Sequence, residues 1–221
     1  MFDIERYMEE LTGRLREAFG ERLRYVGLQG SYLRGEAGGD SDIDAMAVID
    51  GLSVEDMDAY RGIIEALGDA ERACGFICGT EELRSWNPFE IGHLLRSTRD
   101  IYGALAQLVP EYGTEDMRRY IGIEADNLYH MLCHGYIHGN RSKSREKLCA
   151  YYKFAFFILQ DLHFLRSGEF CQTRAELTQS LGGRDREIML TAERLRRGED
   201  IDGSGAFRDI FEWCRGIIRG I

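Results

Sequence analysis

One stretch constrains this chain more than any other: Gly30-Ser31-Tyr32-Leu33-Arg34-Gly35-Glu36-Ala37-Gly38-Gly39-Asp40-Ser41-Asp42-Ile43-Asp44. It leaves one apolar run at Tyr25-Val26-Gly27-Leu28 and enters another that extends from Ile43 to Ile49. A Gly-Ser turn thus follows one predicted strand, a glycine-rich polar loop comes next, and two carboxylates lead into a second strand. Asp42 and Asp44 are two residues apart, so in a strand both side chains point to the same face. Two carboxylates on one face repel each other unless a cation lies between them. A hard divalent ion such as Mg2+ prefers that oxygen pair and leaves room for phosphate oxygens. Glycine and serine at the turn let backbone N–H groups approach a phosphate closely. The stretch reads as a site for a metal–nucleotide complex, against the blander reading of a hairpin loop made polar by Gly and Asp.

Gly30-Ser31, then Arg34-Gly35-Glu36, then Ser41-Asp42-Ile43-Asp44 resembles the signature of the nucleotidyltransferase superfamily, a Gly-Ser, a spacer of this kind and an Asp-x-Asp. The resemblance is strongest over residues 22–50. It implies transfer of a nucleoside monophosphate from a nucleoside triphosphate to an acceptor, usually a hydroxyl, with release of pyrophosphate. Asp42 and Asp44 would then be the catalytic, metal-holding pair for one or two Mg2+ ions. Gly30 and Ser31 would bind the β and γ oxygens of the triphosphate. Arg34 either touches phosphate or pairs with Glu36 or Asp40, and Asp40 reads as a solvated loop residue. Many members carry a third carboxylate on a later strand facing the first two, but here that strand reads Ala73-Cys74-Gly75-Phe76-Ile77-Cys78, with no acid. Glu71, Glu81 and Glu82 flank it, and Glu124 and Asp126 are candidates from the later half; the base could also be absent.

At 221 residues the chain forms one large domain or two small ones with a real core. No apolar stretch reaches membrane-spanning length, and Met1-Phe2-Asp3-Ile4-Glu5-Arg6 lacks a basic start followed by an apolar run, so a cytoplasmic protein is expected. The net charge of −10 argues against extended nucleic-acid binding, which needs a basic surface. Six cysteines are scattered without a CxxC pair and read as small buried hydrophobes in a reducing compartment.

In chain order, Ile4, Met8, Leu11, Leu15 and Phe19 fall at helical spacing before Gly20. Leu23 to Leu28 is the first predicted strand and Ile43 to Ile49 the second. Ser53 to Asp56 is a capping box opening a helix with Val54, Met57, Ile64 and Leu67 inward. Ala73 to Cys78 is a third strand. Thr80 is expected to cap a short helix through Trp86, a second short helix follows Pro88 from Phe89 to Leu95, and Ile101-Tyr102-Gly103 adds a short strand. Strands alternating with helices predict an α/β (α+β) domain with a mixed sheet. The boundary is placed at Pro110 to Gly113, giving a nucleotidyltransferase-like domain over residues 1–110 and an all-α helical bundle over 114–221. In that second half Met117, Ile121, Leu128 and Leu132 share one helix face, a basic turn spans Gly139 to Ser144, and a helix extends through Leu165. Thr173 to Glu176 is another capping box, and Phe207, Ile210, Phe211, Cys214, Ile217 and Ile218 form a final stripe. The plan is also similar to antibiotic nucleotidyltransferases such as those acting on aminoglycosides.

Two features of the second half invite chemistry. Lys153 stands as the one charge between Leu148 and Gln160, so the helix reads as buried nearly all round. Its ammonium would bind a triphosphate, as in some family members, or snorkel to solvent. His130, His134 and His138 recur at four-residue steps, a spacing that can ligate a transition metal but that fits a cleft-lining or partly buried face more readily. The leading expectation is an enzyme modifying a small molecule, with a nucleoside triphosphate and a small-molecule acceptor as partners, no nucleic acid, no membrane and a possible homodimer. The alternatives are an antitoxin-like or regulatory protein acting on a protein partner, or a catalytically inactive nucleotide-binding member.

Overall fold

The computed structural model describes residues 2–140 and 144–221, and the chain forms two compact units, Met1–Tyr112 and Gly113–Ile221. The basic turn expected between Gly139 and Ser144 lies largely outside the described residues.

The first unit opens with α1 (Ile4–Phe19), whose Asp3 side chain accepts from the Arg6 N–H and whose end falls at Gly20, with φ of +56°. Of the predicted stripe, Met8, Leu11, Leu15 and Phe19 are buried and Ile4 is half-buried; Tyr7 joins them, and the face packs on a four-stranded sheet. The sheet contains β1 (Leu23–Leu28), β2 (Ile43–Ile49), β3 (Ala73–Gly79) and β4 (Arg99–Tyr102) in the order β3-β2-β1-β4. β1 pairs antiparallel with both β2 and β4, whereas β2 and β3 are parallel, joined by α3 (Val54–Leu67). The mixed sheet follows from these connections: a loop returns the chain antiparallel, while a crossover helix returns it parallel.

Alternation along β2 divides the core. Ile43, Ala45, Ala47 and Ile49 face the cluster made with α1 and α3. Met46 and Val48 face a second cluster with Tyr25, Cys78, Leu83 and Leu105, closed by side chains of α4 (Thr80–Arg84) and α5 (Pro88–Arg96). Burying a side chain such as Leu11 or Leu15 contributes about 1.5–3 kcal/mol, enough to hold register when each slip would turn these residues outward.

Three local expectations need correction. Val54 and Met57 do not face inward; they are 65% and 42% exposed. The buried side of α3 is instead set by Asp56, with Tyr60, Ile63, Ile64 and Leu67 against the core. Asp56 closes the predicted capping box with Ser53 and also takes two hydrogen bonds from the Arg22 guanidinium, at 2.7 and 2.9 Å, which turns that face of the helix toward the sheet. Thr80 is buried rather than capping α4, where Gly79 is the N-cap. Cys74 is exposed on the edge strand, although Cys78, Cys171 and Cys214 are buried as expected.

The second unit consists of α6 (Thr114–His138), α7 (Ser144–Ser167), α8 (Arg174–Ser180), α9 (Gly183–Arg196) and α10 (Gly203–Gly220). Met117, Ile121, Ala125, Leu128 and Leu132 form the buried stripe of α6, and Thr173 with Glu176 makes the expected capping box of α8. Ile210, Trp213, Cys214 and Ile217 bury α10, while Ile218 at the stripe's edge is exposed. Among the described residues, no helix is long and apolar enough to cross a membrane.

The Arg22 guanidinium, followed by the Ser53 backbone N–H, holds the Asp56 carboxyl down at about 2, against 3.8 for an ordinary aspartate. A carboxyl depressed on folding stabilises the protein above its unfolded value and loses that contribution as pH falls. Chemical denaturation should therefore show Asp56→Asn less stable than the parent by a constant margin above about pH 4, the margin closing between about pH 4 and pH 2.

Candidate functional site

The antiparallel pairing of β1 and β2 brings two distant residues together. Gln29 N–H donates to the Asp44 carbonyl at 2.8 Å, so the residue after β1 lies beside the second residue of β2. Gly30 follows with φ of +68°, a backbone state that strains any residue with a β-carbon. A β-carbon at Gly30 would fall 1.8 Å from Asp44 Oδ2, so the carboxylate packs directly on the glycine backbone. Glycine is required here twice over, by conformation and by contact. The chain then makes one helical turn, α2 (Gly30–Leu33), in which Ser31 is half-buried and its carbonyl accepts from Glu36 N–H at 2.9 Å. Asp42 stands one residue before β2 and is exposed, while Asp44 is half-buried.

Asp44 shares the Met46–Val48 face of β2, because side chains alternate. In the parallel pairing its neighbour on β3 is Cys74, with the two Cα atoms about 5 Å apart as strand spacing dictates. The place beside Asp44 is therefore taken by a thiol. On the other side stands Gln29, whose amide donates to the Thr98 hydroxyl at 2.8 Å. One step further along the face, Tyr25 donates its hydroxyl to Asp100 at 2.6 Å across the sheet. Burial first, then Asp100, pushes the Tyr25 phenol far above its ordinary range, so it stays a neutral donor.

Glu81 and Glu82 follow β3 and so lie at the opposite end of the parallel pair: Ile49 is level with Gly79, as Asp44 is with Cys74. That separation is about 16 Å along the strands. Glu81 pairs with Arg84 at 2.8 Å, and the Glu82 carboxylate folds back against Gly79. Glu71 is exposed in the turn before β3. In the second unit, Glu124 is half-buried on α6 and Asp126 is exposed. Arg34 pairs with Glu36 at 3.2 Å, and both side chains are half-buried.

Lys153 is exposed on α7, so the premise of a buried ammonium fails. The sequence around it is apolar, but Lys153 falls on the outward side of the turn while Tyr152, Ala155 and Phe156 are buried. His130, His134 and His138 are likewise exposed, not partly buried.

Arg72 is the residue that sequence reasoning missed. From the turn before β3 its guanidinium donates to the Ser41 carbonyl at 3.1 and 3.2 Å, to the Tyr32 hydroxyl, and to Asp69 at 3.4 Å. Its backbone carbonyl accepts from Ile43 N–H at 2.7 Å, and its guanidinium lies 4.7 Å from the Phe2 ring centre. One side chain thus ties the α2 turn to the residue preceding Asp42. Nothing in the sequence marks it, because a lone arginine in a polar turn has no pattern.

No protein-family model matches the sequence, and no curated protein does. Among solved structures, the spectinomycin adenyltransferase AAD(9) from Enterococcus faecialis, determined with ATP and spectinomycin, aligns over 98% of this chain and 100% of its own with a TM-score of 0.63. The chain has a nucleotidyltransferase fold. The likeness is to an antibiotic nucleotidyltransferase, as the two-part plan of the sequence implied. At 16% identity it carries the fold, and the chemistry has to be argued from residues. In this nucleotidyltransferase fold the Gly-Ser turn and the carboxylate pair are the groups gathered at the β1–β2 end of the sheet.

Two substitutions test the geometry. Gly30→Ala should lower the unfolding free energy measured by chemical denaturation by about 1–3 kcal/mol, since φ is positive there and Asp44 must move aside. Arg72→Met should lower unfolding free energy by about 1–3 kcal/mol, the size expected for lost charge-assisted hydrogen bonds.

Proposed function

We propose that this chain transfers a nucleoside monophosphate from a nucleoside triphosphate to a hydroxyl of a small molecule. The observation that carries the reading is the Asp44 carboxylate packed on the Gly30 backbone at positive φ, an arrangement that needs both residues of the Gly-Ser…Asp-x-Asp pattern. The printed ligands of the structural neighbour, ATP and spectinomycin, support the same pairing of triphosphate and small-molecule acceptor.

Asp42 and Asp44 are the residues that would hold Mg2+. Among the described residues, no three His, Cys, Asp or Glu groups gather as a closed metal site. Two carboxylates suit Mg2+, which keeps several waters and takes phosphate oxygens as further ligands. Bound there, the ion would supply charge neutralisation for the α-phosphate and the departing pyrophosphate. The Gly30–Ser31 turn would take the β and γ oxygens through its N–H groups and hydroxyl. The acceptor oxygen attacks phosphorus in line; an O–P bond forms, the bond to pyrophosphate breaks, and the hydroxyl proton leaves to a base.

A second reading, nucleotide binding with slow or no transfer, rests on Cys74. Where the family's third carboxylate would face Asp44, a thiol stands. General-base assistance contributes about 10²–10⁴ in rate, so without an acid on β3 turnover is low.

Pyrophosphate release measured with each of the four nucleoside triphosphates and a panel of hydroxylated small molecules, spectinomycin among them, tests the reading. Acceptor-dependent release is expected, and Asp44→Asn should reduce it by about a hundredfold or more. An Asp44→Asn protein with unchanged release would overturn the assignment. Cys74→Asp should raise acceptor-dependent release by about tenfold or more by restoring an acid beside Asp44.

A further inference from the structure

The three histidines of α6 are not used by the proposed transfer, and their placement supports a site of its own. Successive four-residue steps advance a helix by little more than one turn, so Asp126, His130, His134 and His138 form one row. All four are exposed. The opposite side of the helix, through Ile121, Ala125, Leu128 and Leu132, is locked in the bundle core, so the row stands on rigid backbone. The imidazole centres of His134 and His138 are 5.1 Å apart, and those of His130 and His134 are 5.9 Å apart.

These distances match shared coordination. A nitrogen on each ring about 2.1 Å from one ion, at a tetrahedral angle, puts ring centres about 5.3 Å apart. His134–His138 lies within a few tenths of an ångström of that value, and His130–His134 is wider. Because among the described residues no group of three ligands gathers, each pair would supply two positions and water the rest. Imidazole nitrogen selects borderline transition ions over hard ones, which separates this row chemically from the carboxylates Asp42 and Asp44.

We propose that His134 and His138, with His130 as the alternative partner, form a two-ligand surface site for a divalent transition ion such as Cu2+, Ni2+ or Zn2+. His134 belongs to both pairs, so one ion binds per chain. The proposal is independent of nucleotidyl transfer.

Calorimetric titration of the full-length, tag-free chain with Ni2+ and with Cu2+ tests it, with Mg2+ as the hard-ion comparison. One-to-one binding of both transition ions is expected, undisturbed by excess Mg2+. His134→Gln should weaken it by at least about tenfold, since loss of a direct ligand costs no less than loss of an outer-shell partner. His138→Gln should leave weaker binding through the wider pair, and His130→Gln should change little. Because all three positions are exposed, circular dichroism of each variant should match the parent, keeping loss of ligand distinct from loss of fold. Absence of saturable binding, or binding unchanged in His134→Gln, would overturn the proposal.

Discussion

The architecture of the candidate site depends on one steric fact: the Asp44 carboxylate occupies the space a side chain at position 30 would need. That contact exists because β1 and β2 are antiparallel and joined by a loop, which returns the chain to the end of the sheet it has just left. Residues fourteen apart in sequence become neighbours through a pairing held by buried side chains on both faces of the sheet. Glycine at position 30 is then the only residue that satisfies both the positive φ and the approach of the carboxylate. The Gly30–Ser31 turn and the Asp44 carboxylate are in this sense one structural unit.

Around that unit the fold supplies tension as well as support. Two acids lie at the mouth of the loop, and two guanidiniums brace it, Arg34 reaching Glu36 and Arg72 reaching the Ser41 carbonyl and Asp69. Arg72 acts through geometry more than charge, spanning from the α2 turn to Ser41. Cys74 beside Asp44 is the point where the reading of transfer and that of binding without transfer diverge.

Much of the fold was legible because it rests on local periodicity. The strands 23–28 and 43–49, the α1 stripe, the capping boxes at Ser53 and Thr173 and the buried face of α6 all follow from spacing that backbone geometry imposes on any chain. The errors came where a partner outside the local pattern decided the outcome. Val54 and Met57 look inward by periodicity, yet Arg22, 34 residues before Asp56, sets which side of α3 meets the sheet. Lys153 looks buried by composition, yet the bundle leaves its side of α7 uncovered.

The sequence by itself determined the elements, the mixed α/β then all-α plan, and the Gly-Ser…Asp-x-Asp stretch, since each is written in residues close together along the chain. Tertiary structure alone decided what stands beside that stretch. Parallel pairing of β2 with β3 placed Cys74 next to Asp44 and carried Glu81 and Glu82 to the far end of the sheet, because parallel strands run level from the same edge. The same pairing brought Arg72 onto the loop. Register between strands depends on the packing of whole faces, and no short window of sequence contains it.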